Sequence, residues 1–102
     1  MGLTKQEYNR YNRHILLDKV QLEGQLKLKA AKVLVIGAGG LGCPILMYLT
    51  AAGVGHIGIV DFDIIDESNL QRQVLFDSAD VGKSKAYVAK QKLESQNPLV
   101  KI

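Results

Sequence analysis

Val33-Leu34-Val35-Ile36-Gly37-Ala38-Gly39-Gly40-Leu41-Gly42 decides the fold. Its first four residues are an aliphatic run of the kind that forms a buried strand. Glycines follow at once, and an apolar helical stretch follows them. In this pattern Gly37 permits a tight turn, Gly39 lets a phosphate approach the backbone, and Gly42 lets helix and strand pack closely. The helix N-terminus offers unpaired N–H groups and a positive dipole end to an anion.

Working outward, the first strand is expected at Lys32–Ile36 and the helix at Leu41–Ala52, stopped by Gly53. Pro44 falls in its first turn, where a missing N–H costs little. A second strand is expected at Ile57–Asp61. Asp61 lies 21 residues beyond Gly40, the separation of a ribose-hydroxyl acceptor. Nucleotide binding is therefore expected; the alternative is a tightly packed turn with no ligand.

Residues Asp66–Leu75 read as a loop with one helical turn. A further helix is expected from Lys83 to Ser95, with Ala86, Ala89, Lys90 and Leu93 as its inner stripe. Asn97-Pro98 ends it, and Leu99–Ile102 reads as the start of a third strand. Upstream, Thr4-Lys5-Gln6-Glu7 fits a capping box, opening a helix to about Arg10 or Asn12. A second helix around Leu22 and Leu26 ends before Lys32. The expected class is α/β: a Rossmann-like parallel sheet with flanking helices, incomplete, with two N-terminal helices before it. Residues 1–31 hold those helices and residues 32–102 a βαβαβ nucleotide-binding unit, together the N-terminal portion of one domain.

The bulk properties agree. A 102-residue chain is one domain or less. A fold with both mononucleotide halves needs about six strands, so the sequence accounts for part of one. Net charge is +3, too weak to imply nucleic acid, and the lysines of residues 83–102 fit a solvated helix face. The single Cys43 forms no internal disulfide, which points to the cytoplasm. The first residues are polar and charged, unlike a signal peptide. The apolar stretch Cys43–Ala52 falls short of the ~20 residues that cross a bilayer.

Four further residues bear on chemistry. Asp61 and Asp63 bracket Phe62, so on a strand both would point the same way. Asp63 is then either a group near the phosphates and metal or a loop cap. Arg72 and Lys85 discriminate between cofactors. A nicotinamide enzyme needs a fairly neutral pocket, whereas cutting a phosphate chain needs fixed cations where negative charge builds up. Lys85 can equally be a surface helix residue.

Several segments, in order, resemble the N-terminal part of the MoeB/ThiF/HesA family, bacterial relatives of ubiquitin-activating enzymes. They are Arg10-Tyr11-Asn12-Arg13-His14-Ile15, Gly24-Gln25, Val35–Gly42, Ala52-Gly53-Val54-Gly55, Asp61-Phe62-Asp63, Ser68-Asn69-Leu70-Gln71-Arg72-Gln73 and Val81-Gly82-Lys83-Ser84-Lys85. The resemblance implies ATP over Gly37, Gly39, Gly40 and Gly42, with Asp61 on the ribose. It implies Asn69, Arg72 and Lys85 along the phosphates, and Arg13 reaching into the neighbouring subunit's site in a homodimer. Gln73 shares the segment, with a role inseparable from packing.

The implied reaction is adenylation of the C-terminal glycine carboxylate of a small ubiquitin-fold sulfur-carrier protein, in molybdopterin or thiamine biosynthesis. Gly42-Cys43 and Asp61-Phe62-Asp63 lean toward the molybdopterin type by similarity. Mg²⁺ would bridge phosphate oxygens, with its protein ligand expected beyond residue 102, as are the family's zinc-binding cysteine pairs. No metal set is expected within the chain, and Cys43 reads as a buried packing residue. The chain is expected to be a piece of a larger or split protein and to bind ATP weakly alone. Two rivals remain: a non-catalytic nucleotide-binding or dimerisation module, and half of an NAD(P)-dependent oxidoreductase.

Overall fold

In the computed structural model, which describes residues 2–102, two strands pair in parallel at the centre. Strand β1 (Lys32–Ile36) and strand β2 (His56–Val60) run in register from Lys32–His56 to Ile36–Val60. Four helices surround them: α1 (Lys5–Ile15), α2 (Gln21–Ala30), α3 (Gly42–Ala52) and α4 (Lys85–Gln96). Single 3₁₀ turns at Glu67–Asn69 and Ser78–Asp80 interrupt the long connection from β2 to α4. No helix among the described residues is long and apolar enough to cross a membrane.

Alternation along the strands sets the layers. Val35 and Ile57 are buried, together with Leu46 of α3 and Val88, Ala89 and Leu93 of α4. Leu34 and Ile36 alternate to the opposite face and stay 62% and 79% exposed. One sheet face is thus packed against α3 and α4, and the other is bare.

The N-terminal helices are fastened to this unit by close contacts. Thr4 and Glu7 form the expected capping box at α1. Tyr11 and the Gln25 side chain press on Gly53, where a Cβ would meet the ring at 2.6 Å. Gly55 is closer still: a Cβ there would lie 1.8 Å from the Lys29 carbonyl. Buried Asn97 donates to the Tyr11 hydroxyl at 2.8 Å and to the Thr50 carbonyl at 2.9 Å, joining α1, α3 and the end of α4.

Four expectations need correction. Helix α1 runs past Asn12 to Ile15, because Tyr11 is buried and the His14 ring stacks on it while lying 3.3 Å from Gln25 Oε1. The second strand ends at Val60, so Asp61 follows it and the shared-face argument for Asp61 and Asp63 does not hold. Helix α4 starts at Lys85, with Ser84 as its cap; its buried residues are Lys85, Val88, Ala89 and Leu93, and Lys90 is exposed. Lys90 lies five residues after Lys85, about 140° away around the helix. Finally, the expected strand at Leu99–Ile102 amounts to one parallel bridge, Lys101 to His56. Asn97 explains the delay, since its side chain and carbonyl accept the Leu99 and Val100 N–H groups and hold them in a turn.

Candidate nucleotide site

The glycine turn is anchored on both sides. The Gly37 N–H extends the sheet ladder to the Val60 carbonyl at 2.7 Å. The Ala38 N–H donates to Asp61 Oδ2 at 2.7 Å, while Asp61 Oδ1 accepts the Asp63 N–H at 2.8 Å. Asp61 therefore fixes the turn as well as closing its own loop. It is Asp61, not Asp63, that acts as the loop cap.

The glycines divide into two kinds. Gly37 has φ +94°, and a Cβ on Gly42 would lie 2.0 Å from the Gly37 carbonyl, so the fold itself demands both. Gly39 and Gly40 have no positive φ. A Cβ there would meet Gln73 Nε2 at 3.8 Å and Arg72 Cδ at 3.5 Å, ordinary contact distances. Internal packing does not require glycine at these two positions; a bare backbone there serves close approach from outside. The N–H groups of Gly39, Gly40, Leu41 and Gly42 have no acceptor among the described residues. At the start of α3 they make a cradle that could receive an anion.

Of the two expected cations, Arg72 borders that cradle and Lys85 lies within electrostatic reach of its base. The Arg72 stem lies against Gly40, with its guanidinium in no ion pair. Lys85 is 6% exposed at the first position of α4, and its N–H donates to the Asp63 carbonyl at 3.1 Å. Its charge reaches the Cys43 thiol at the start of α3. A buried cation at a helix N-terminus works against the dipole, and no carboxylate among the described residues pairs with it. The surface-residue reading of Lys85 is therefore overturned.

Asn69 closes the first 3₁₀ turn: its Oδ1 accepts the Asp66 N–H at 3.3 Å, leaving the amide nitrogen free. The Ser68 N–H and hydroxyl hold the Asp66 carboxyl below its usual range. The Asp63 side chain is exposed at the mouth of the loop, without a hydrogen bond. Gln73, whose role the sequence does not separate from packing, is buried against Gly39, and its Oε1 has no partner among the described residues. Nothing in the sequence marks that orphaned acceptor.

Arg13 stands apart. It is exposed on α1, without an ion pair or side-chain hydrogen bond. Its neighbours Tyr11 and His14 sit at the C-terminal end of α3, beside Gly53 and Gln25. The cradle is at the other end of that helix, about 15 Å away at 1.5 Å per residue. The two histidines and Cys43 form no metal set; no group of three or more candidate ligands occurs among the described residues. Cys43 is fully buried, its thiol pushed up by burial and donating to the Ala38 carbonyl at 3.1 Å.

A glycine cradle flanked by unpaired cations and followed by Asn69-Leu70-Gln71-Arg72-Gln73 matches one family over residues 11–102. The chain belongs to the ThiF family. It is 57% identical over 101 residues to a protein named probable adenylyltransferase/sulfurtransferase MoeZ from Mycobacterium tuberculosis, covering 99% of this chain and 26% of that one. It is 53% identical over 102 residues to a sulfur carrier protein adenylyltransferase of Thermus thermophilus, covering all of this chain and 38% of that one. Among solved structures, E. coli MccB with ATP superposes with a TM-score of 0.83 at 40% identity, over 96% of this chain and 30% of MccB. This ThiF-family chain thus spans about a fifth to two fifths of the length of the curated relatives it matches.

Proposed function

We propose that this chain supplies the ATP-binding half of an adenylyltransferase that activates the C-terminal glycine carboxylate of a ubiquitin-fold sulfur carrier. The observation that carries this reading is the combination of free N–H groups at Gly39–Gly42 with two cations, Arg72 and Lys85, that make no close ion pair among the described residues. A hydride-transfer site has no use for two such cations beside its phosphate turn.

On this reading the triphosphate lies over Gly39 and Gly40, and Gly37 and Gly42 shape the turn beneath it. The outward lone pairs of Asp61 take the ribose hydroxyls. Asn69, Arg72 and Lys85 line the phosphates, and Asp63 stands at their entrance. The carrier carboxylate attacks the α-phosphorus, forming the acyl–phosphate bond as the bond to the β-phosphate oxygen breaks and pyrophosphate leaves. A carboxylate is already ionised at pH 7, so the site needs no general base. Its work is in-line positioning and neutralisation of the charge growing on pyrophosphate, the task of Arg72 and Lys85. Mg²⁺, when bound, would supply further charge neutralisation at the phosphates. Arg13, remote from its own cradle, serves the partner's site in a homodimer. Residues 1–31 are then the arm that carries it, and residues 32–102 the nucleotide unit.

The test is ATP–pyrophosphate exchange by the protein carrying this segment, with sulfur carriers ending in glycine. Carrier-dependent exchange is expected. Tight NAD binding without exchange would replace this reading with the oxidoreductase one, and ATP binding without exchange would leave a nucleotide-binding module.

A further inference from the structure

We propose that Lys92, with Asp77 and Asp80, is a positioning device for Lys85 on which ATP affinity depends. What Lys85 contacts rests on the adenylation reading above; how it is held does not.

Lys92 lies seven residues after Lys85, two turns along the same face of α4. Its Nζ is 2.8 Å from Asp77 Oδ2 and 2.5 Å from Asp80 Oδ2. The carboxylates also close the second 3₁₀ turn on itself. Asp80 Oδ2 accepts the Asp77 N–H at 2.9 Å, and Asp77 Oδ1 accepts the Ala79 N–H at 3.0 Å. The turn is thus closed internally and stapled to the middle of the helix. An exposed ion pair is worth little, but the Asp80 side chain is only 10% exposed and accepts from two donors, Lys92 and the Asp77 N–H.

From this turn the chain reaches Lys85 through Val81-Gly82-Lys83-Ser84. That ribbon is laced to the segment after β2. Gly82 N–H donates to the Ile65 carbonyl at 2.8 Å, Ile65 N–H to Lys83 at 2.8 Å, and Lys85 N–H to Asp63 at 3.1 Å. One end of the ribbon is therefore fixed beside Asp61 and the other at the Asp77–Asp80 turn. Among the described residues, Lys92 makes the one side-chain ion pair or hydrogen bond from α4 to that second end. Among the described residues the buried Lys85 ammonium has no ion pair, so its place is set by the backbone and packing around it. Freeing the turn lets the ribbon shift and moves the cation relative to the cradle.

Two variants separate positioning from plain stability. Lys92→Met removes the cation and keeps an apolar stem. Lys92→Met combined with Asp80→Asn also removes the stranded buried charge. In Lys92→Met we expect a lower Tm, faster hydrogen exchange at the Gly82, Lys83 and Lys85 amides, and ATP binding weakened about tenfold. In the double variant Tm should recover while exchange stays fast and ATP binding stays weak. Lys92→Arg should restore all three. Recovery of ATP affinity and amide protection together with Tm in the double variant would overturn the proposal, leaving Lys92 as relief for a buried charge. A wild-type protein that binds no ATP defeats the adenylation reading, and amide exchange at Lys85 then still decides whether Lys92 positions it.

Discussion

The Asp61 carboxylate accepts the Ala38 N–H at 2.7 Å, so the residue after β2 holds the turn after β1. The same carboxylate bonds the Asp63 N–H, and the Asp63 carbonyl takes the Lys85 N–H. One acidic residue thereby links the cradle, its own loop and the helix that carries Lys85.

The glycines give the sharpest contrast. Gly42→Ala places a Cβ on the Gly37 carbonyl and should cost several kcal/mol, about 3 or more, as strained backbone contacts do. Gly39→Ala should leave Tm within a few degrees yet weaken ATP binding at least about tenfold, because only the ligand needs that space. Thermal melts and ATP titration of both variants check this; equal loss of stability would make Gly39 a packing residue.

Lys85→Ala should lower ATP–pyrophosphate exchange by ~10²-fold or more, the scale of a lost charge contact in a transition state. Its stability should hold or rise, since a buried cation without an ion-pair partner is removed. Near-normal exchange would show that the ammonium does not face the phosphates.

Asp61→Asn keeps one carbonyl oxygen where two carboxylate oxygens now accept N–H groups. A loss of stability of about 1–3 kcal/mol is expected from an unmet buried donor or a repelled amide. Weaker ATP binding should accompany it, as an ionised acceptor bonds hydroxyls more strongly. Unchanged affinity in calorimetric titration would confine Asp61 to holding the turn.

Arg13→Ala and Lys85→Ala, each inactive alone, should complement when mixed. A mixed dimer contains one site with both residues intact, so exchange activity should partly return. Confirmed subunit exchange without recovered activity would place Arg13 in service of its own chain or of the fold.

The Lys92 staple also predicts a pH window for stability. Burial pushes the Asp80 carboxyl up, but Lys92 and the Asp77 N–H override it and hold it below its usual range. Burial likewise opposes the Lys92 charge, and Asp77 and Asp80 override it and raise its pKa. The Asp80 contribution is complete above the ordinary carboxylate pKa of about 4 and is lost as pH falls through the lowered folded value. The Lys92 contribution is complete below the ordinary ammonium pKa of about 10.4 and is lost as pH rises through the raised folded value. Tm of wild type minus Tm of Lys92→Met should therefore be flat between those limits and shrink at both extremes. A gap that closes near neutral pH would contradict the staple.

Much of the fold is legible because local rules decide it. Val33–Ile36 and the glycines fix β1 and the turn, and Gly53, at φ +91°, ends α3 where it must. The proposed ATP-type site rests on residue types readable in the sequence, Arg72 and Lys85 after a glycine turn. Hidden from the sequence is everything decided at long range. The phase of α4 follows from where Ser84 caps it, and a two-residue error there exchanged buried Val88 for exposed Lys90. The Asp63–Lys85 and Ile65–Lys83 bonds cross about twenty residues, leaving no local periodicity to read. Arg72 over Gly40 is likewise a meeting of loops that only the folded chain reveals.

Cys43 gives the molecule a native gauge. Its thiol is wholly enclosed beneath the turn and bonded to the carbonyl of Ala38, whose N–H Asp61 holds. A thiol reagent can reach it only when the structure around it opens, at the turn or at the Leu75 segment, so labelling speed counts opening events. Nucleotide seated on the glycines should slow the labelling, and loosening Asp61 should speed it. The breathing of the cradle can then be timed in the unmodified sequence, without an introduced probe.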